Sequence, residues 1–197
     1  MKTTKVLQTN ISETDIGQVS EILNTSTKNR VAICNANTLV RSVRDIVIRN
    51  TINNFTIKAP DGFPVAKALS FFTKQKFSRV DGYKVFLQTI NNGVSHGTKH
   101  YFFGNNEIVV QLMISKLTQK YPDIKITGYV CPEFLSADEI VEKYKKEIGS
   151  ANADIIWVSL GFPKQEIFIE KIYNEVDTSA NFVGIGAVFE WVAGTKK

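Results

Sequence analysis

The sequence predicts an α/β fold of Rossmann-like type, a mainly parallel sheet with helices on both faces. Three observations carry this. Short β-branched or aromatic runs alternate with stretches whose apolar residues recur at helical spacing. One run, "DIIWVSLG" (154–161), is almost continuously apolar, as a strand buried on both faces requires. Several runs end in Gly or Asn just before a helical stretch, the form of a strand-to-helix turn.

In chain order, Ile16, Val19, Ile22 and Leu23 make a first helical face, and "RVAIC" (30–34) follows as a strand. Leu39, Val43, Ile46 and Val47 mark one helix, and "FTIK" (55–58) a short strand. "IKAPDGFPVAKALSFF" (57–72) breaks at Pro60-Asp61-Gly62 and restarts with Val65, Ala68, Leu69 and Phe72 at helical spacing. Val85, Phe86, Thr89 and Ile90 form the next helical face. "KHYFFG" (99–104) is a strand ending in Gly, leading to Val109, Val110, Met113, Ile114 and Leu117 on one helical face. "IKITGYV" (124–130) is a strand. "SADEIVEKYKKEIG" opens with a capping box, Ser136 with Glu139, and closes at Gly149. A helix after Pro163 and a last strand, "NFVGIG" (181–186), complete the series.

With 197 residues, 43% hydrophobic and 22% charged, the chain suits one compact domain over 1–197, and no Pro/Gly/Ser-rich linker divides it. The N-terminus lacks the apolar core of a signal peptide and no run reaches membrane-spanning length, so a cytoplasmic protein is expected. Cys34 and Cys131 form no CxxC and are read as two buried reduced thiols. The net charge of +5 has one local concentration, Lys67, Lys74, Lys76, Arg79 and Lys84 against Asp81 alone. That suits phosphates or an anionic membrane surface as well as a solvated helix face. A nucleic-acid binder would carry a denser basic stripe, so no nucleic-acid partner is expected.

Ligands of such sheets gather at the carboxyl ends of the strands. That edge holds Asn35, Asp61-Gly62, Gly104-Asn105-Asn106, Gly161 to Glu166 and Gly184 to Gly186. In "SLGFPKQE" (159–166), Pro163 stands where a first helical turn tolerates it. The free amides there can face an anion, with Lys164 or Gln165 as added donors. An ordinary loop with a solvated KQE turn explains the pattern equally well. In "YFFGNNE" (101–107), Asn105 or Asn106 can cap the helix and Gly104 permits close approach of a ligand. Asp61 is either a turn-and-cap residue or a chemical group, and the local pattern leaves both open.

Other chemistries are disfavoured. There is no Walker A loop and no G-x-S-x-G elbow. "GIGAVFEW" (184–191) has Phe189 where a dinucleotide fingerprint needs its third Gly. His96 and His100 read as two unrelated surface histidines. No D-x-D pair is present to hold a nucleotide-bound cation, so neither a metal nor a cofactor is expected.

"APDG" with its following helix, "LGFPKQE" and "GIGAVFEWVAGTKK", in this order, resemble the WecG/TagA/CpsF family of bacterial glycosyltransferases. The resemblance runs from about residue 5 to the last residue. It implies inverting, metal-independent transfer of a sugar, often N-acetylmannosamine, from a UDP-sugar to a lipid carrying diphosphate-linked N-acetylglucosamine. Such products serve teichoic acid, common antigen and capsule synthesis. Asp61 then matches the family's proposed general base, Gln165 a polar residue near the donor, and Asn35 the Asn of its T-x-N motif. Turn amides near Gly104 and Pro163, with Lys164 and Gln165, would hold the nucleotide, and Gly62, Asn105, Asn106, Gly161 and Gly186 join the expected binding edge.

Two positions depart from the family pattern. Ile33 replaces the motif Thr, and Lys84 stands where many members have Asp. Both bear on the sugar pair rather than the reaction class. Members also continue past "AGTKK" with a basic amphipathic segment that meets the membrane. The expectation is therefore a chain lacking that segment, peripheral at the inner membrane face when complete. Homo-oligomerisation is left open. The rival reading is a nucleotide-sugar-binding or partner-dependent subunit, and a weaker one an unrelated Rossmann-like enzyme.

Overall fold

The structure, a computed structural model, describes residues 1–196, so Lys197 of the last motif lies outside the described residues. A hairpin of β1 (Thr3–Val6) and β2 (Thr9–Ser12) opens the chain. The main sheet contains β3 (Arg30–Cys34), β4 (Ile57–Pro60), β5 (Lys99–Gly104), β6 (Lys125–Val130), β7 (Ile155–Ser159) and β8 (Asn181–Gly184). Its order is β4-β3-β8-β7-β5-β6, and every pairing is parallel. The chain builds outward from β3 to β4, then from β5 to β6, and β7 and β8 fill the gap between. This is the Rossmann-like arrangement the alternation predicts.

Helices α1 (Ile16–Thr25), α5 (Gly82–His96), α6 (Glu107–Lys120) and α9 (Val188–Ala193) pack on one face of the sheet. Helices α2 (Ala36–Arg44), α3 (Ile46–Asn54), α4 (Phe63–Thr73), α7 (Ala137–Gly149) and α8 (Lys164–Glu175) pack on the other. Strand side chains alternate between the two cores with period two. Phe102 and Trp157 join the first, and Phe103, Ile156 and Val158 the second. The capping box of α7 forms as read, Ser136 with Glu139.

Several expectations are corrected. The single helix expected over Leu39 to Val47 is two helices, because Asp45 is extended, closes α2 with its N–H to Arg41 and caps Val47 and Ile48 of α3. Val43, Ile46 and Val47 are consequently exposed rather than core. The short strand starts at Ile57 and takes in Pro60, which an edge strand tolerates. His100 is no surface residue: it is buried, Trp157 donates Nε1–H to its Nδ1 at 3.2 Å, and burial pushes its pKa down to about 3. Cys34 is buried, but Cys131 is only partly so. Among the described residues, no helix is long and apolar enough to cross a membrane.

Candidate active site

A cleft of about 250 Å³ opens at the carboxyl ends of β3, β4, β7 and β8. Asn35, Asp61, Arg79, Gln165, Glu166 and Gly186 contribute its polar walls, and Ile33, Phe162 and Trp191 its apolar ones. Sequence positions spread over more than 150 residues meet here because the β7–β8 insertion brings the third motif beside the first.

Asp61 follows directly from the register of β4, which pairs Pro60 with Cys34. Its backbone N–H donates to the Cys34 carbonyl at 2.9 Å, and the Pro60 carbonyl accepts Val80 N–H at 2.7 Å. The Asp61 position is thus clamped on both sides, against β3 and against the 79–81 loop. Gly62, at φ 79°, turns the chain into α4 and is itself the helix N-cap, with no side-chain capping bond. The capping alternative for Asp61 therefore fails, and its half-buried carboxyl is left to the cleft. Burial pushes its pKa up, reinforced by Asp81 and opposed by the Gly62 N–H and Arg79.

The 79–81 loop brings a cation to the same wall. Arg79 Nη2 donates to Asp81 Oδ2 at 2.6 Å, while Asp81 Oδ1 caps α5 through Tyr83 and Lys84 N–H. Across the cleft, Asn35 caps α2 by accepting Thr38 N–H at 3.1 Å, which leaves its amide N–H groups without a protein partner among the described residues. Ile33, the departure from the T-x-N motif, lines the cleft with an apolar surface. Lys84 is exposed and outside it.

The turn after β7 carries two buried polar residues. Gln165 donates Nε2–H to Glu166 Oε1 at 2.8 Å and accepts Gly186 N–H on its own Oε1 at 3.1 Å. Glu166 is 3% exposed, and its Oε2 has no hydrogen-bond partner among the described residues. Burial pushes this carboxyl up to about 7, partly offset by the Gln165 amide and its own backbone N–H. The neighbouring Cys34 thiol is pushed up by burial and further by Glu166, Lys58 opposing.

A second lobe adjoins the first and shares Gly186 and Ala187 with it. It is lined by Asn105, Asn106, Ser159, Gly161, Glu190 and Lys196. Asn106 caps α6 through Val109 N–H at 3.0 Å.

The expected site residues thus divide. Asn35, Asp61, Gln165 and Gly186 line the first lobe, and Asn105, Asn106, Gly161 and again Gly186 the second. Gly62, Gly104, Pro163 and Lys164 line neither. At Gly104 a Cβ would sit 2.3 Å from the Ser159 carbonyl oxygen, so the neighbouring strand demands glycine there. Lys164 turns away, with Nζ on the Leu135 carbonyl at 3.0 Å and over the Phe134 ring. Of the amides at the start of α8, Gln165 N–H is engaged with the Gly161 carbonyl and Ile167 N–H with that of Pro163. Among the described residues no three His, Cys, Asp or Glu side chains converge as metal ligands.

A sequence model of the glycosyl transferase WecG/TagA/CpsF family matches residues 4–197. The chain belongs to this family. Among its WecG/TagA/CpsF relatives, it is 30% identical over 148 residues to the N-acetylglucosaminyldiphosphoundecaprenol N-acetyl-beta-D-mannosaminyltransferase of Bacillus subtilis (strain 168), covering 74% of this chain and 54% of that protein. The protein of the same name from Staphylococcus aureus (strain NCTC 8325 / PS 47) is 30% identical over 149 residues, 74% of this chain and 56% of its own. That from Bacillus spizizenii is 29% identical over 138 residues, 70% and 52%. The chain spans about half the length of the curated relatives it matches.

Within this family frame, the sequence singled out neither Arg79 nor Asp81 as a site residue, and Glu166 only as the last position of the Gly161 to Glu166 edge. Arg79 and Asp81 entered only as members of a charged stretch and of the segment "RVDGYKV" (79–85) that carries the Lys84 departure. Glu166 looked like part of a solvated turn, because α8 is packed against β8 and β3, elements not adjacent to that turn's pattern in sequence.

Proposed function

We propose that the chain is a single domain performing inverting transfer of an N-acetylmannosamine-like sugar from a UDP-sugar to polyprenyl-diphosphate-linked N-acetylglucosamine. The observation that carries this is the Asp61 carboxylate, clamped by its backbone in the first lobe and capping no helix. The matched relatives, named for this transfer, supply the substrates.

The nucleotide occupies the second lobe, and its diphosphate crosses the shared floor at Gly186 and Ala187, bordered by Arg79 and Lys196. The sugar then lies in the first lobe. The acceptor hydroxyl oxygen attacks the anomeric carbon from the face opposite the diphosphate, and the bond to the β-phosphate oxygen breaks with its electron pair. Asp61 takes the hydroxyl proton. Its raised pKa makes it a better base than an exposed aspartate, and help of this kind is worth roughly a hundred- to ten-thousand-fold in rate. No divalent cation takes part.

The chain works peripherally at the membrane. Phe63, Phe71 and Phe72 are exposed on α4, with Lys67 and Lys74, immediately beyond the Asp61 turn, a mixture that favours an anionic lipid surface. Calorimetric titration with UDP, and assay of UDP release from UDP-N-acetylmannosamine in the presence of the lipid acceptor, test the reading. UDP binding with acceptor-dependent release is expected. No affinity for UDP would refute it, and UDP binding without release would favour a binding subunit.

A further inference from the structure

Glu166 combines three features that ordinary packing does not explain. It is an acidic side chain almost wholly buried, it stands on the wall of the lobe that holds Asp61, and one of its oxygens has no partner among the described residues. Structural carboxylates at such depth are normally paired with a cation or fully hydrogen-bonded. Lys58, the one buried lysine among the described residues, directs its Nζ to the Phe55 and Asn53 carbonyls instead.

The surrounding bonds decide which oxygen carries the proton. Gln165 donates to Oε1, and the Gln165 amide is oriented by its other bond, from Gly186 N–H. Oε1 is therefore the accepting oxygen, and the neutral acid places its O–H on Oε2. Burial raises the pKa of this acid to about 7, so it is mostly protonated on the acid side of neutrality. A buried hydroxyl donor without an acceptor is costly, so a group that supplies one on binding gains affinity.

We propose that Glu166 is a sugar-binding residue, whose Oε2–H donates a hydrogen bond to an uncharged oxygen of the transferred sugar, a hydroxyl or the N-acetyl carbonyl. The assignment rests on the glycosyltransferase reading above, which puts the sugar in this lobe. The alternative recipient, a diphosphate oxygen, fits poorly: an anion is better served by Arg79 and the shared floor than by a neutral acid. The role also explains why an acidic side chain stands where a merely structural residue would need no ionisable group.

The test compares UDP with UDP-N-acetylmannosamine by calorimetry at about pH 6, for the wild-type chain, Glu166→Leu and Glu166→Gln. Leucine removes the donor, and glutamine keeps an N–H in its place. Glu166→Leu should lose roughly three- to tenfold of the affinity that UDP-N-acetylmannosamine has relative to UDP, the value of one neutral hydrogen bond. Glu166→Gln should restore the sugar-specific gain to within about threefold. Equal binding of both ligands by Glu166→Leu and wild type would overturn the assignment alone. So would an equal loss for UDP and the UDP-sugar, which marks a residue that only supports the cleft, or a loss in Glu166→Gln as large as in Glu166→Leu. A wild-type chain that binds neither ligand would remove the nucleotide-sugar reading and this assignment with it.

Discussion

The side-chain oxygen of Gln165 accepts the backbone N–H of Gly186 at 3.1 Å, tying the turn after β7 to the turn after β8. These two turns form one wall of the cleft, and Ser159 Oγ holds the same residue from its other side by donating to the Gly186 carbonyl at 2.6 Å. Gly184 makes room for the Gln165 side chain, since a Cβ there would lie 3.0 Å from Gln165 Nε2.

Gln165→Ala should therefore loosen the cleft as well as the fold. It leaves the Gly186 N–H and Glu166 Oε1 unpaired, a cost of about 1–3 kcal/mol. Calorimetry should show Tm lowered by several degrees and weaker UDP binding. An unchanged Tm would mean that water replaces the amide at no cost.

Glu166 should make stability fall as pH rises. Its carboxyl ionises near 4.5 in the unfolded chain but only near 7 in the fold. Between those values the folded state holds the extra proton, so its advantage is complete below about 4.5, declines upward and is gone above about 7. The size is on the order of 3 kcal/mol. Urea denaturation of wild type and Glu166→Gln at about pH 5 and about pH 8 measures it. The variant should gain relative to wild type at the higher pH. Parallel profiles would show that Glu166 is ionised throughout.

Arg79→Gln should weaken UDP binding roughly ten- to hundredfold, the value of charge-assisted bonds to phosphate. Part of the effect should fade in high salt, because the guanidinium is exposed and screened. Titrations at two ionic strengths measure both. Unaltered affinity would place the diphosphate away from the 79–81 loop.

UDP affinity should be the same with and without EDTA. Asp81, the carboxylate nearest Arg79, is already committed to it and to the α5 cap. Loss of most affinity in the chelator would contradict a cation-free site.

The fold was legible where local and tertiary signals agree. The apolar run over Ile155–Ser159 is a central strand buried on both sides, and Ser136 with Glu139 caps α7. Legibility failed where one residue breaks a continuing pattern: apolar spacing runs through Asp45, although that residue ends one helix and starts another. The hairpin over Thr3–Ser12 escaped because its strands are four residues each and mostly polar. In the cleft, Asp61 and Asn35 stand at strand ends and Gln165 in the first turn of the helix after β7, places that topology sets in advance. Lys164 went astray because the turn sequence does not say which way a flexible side chain swings. Glu166 was hidden for the reason that makes it interesting, burial by elements distant in sequence.

The most direct test of the account is the turnover of Asp61→Asn. Asparagine keeps the size of the side chain, and the backbone bonds that clamp residue 61 do not involve it. The variant should fold, bind UDP with affinity within about threefold of wild type, and transfer sugar to the lipid acceptor roughly a hundred- to ten-thousand-fold more slowly. Wild-type transfer should also fall as pH drops through the raised carboxyl pKa of Asp61, because only the ionised form accepts a proton. Turnover by Asp61→Asn equal to that of its parent, in a preparation that binds UDP normally, would contradict the role of Asp61 as the base.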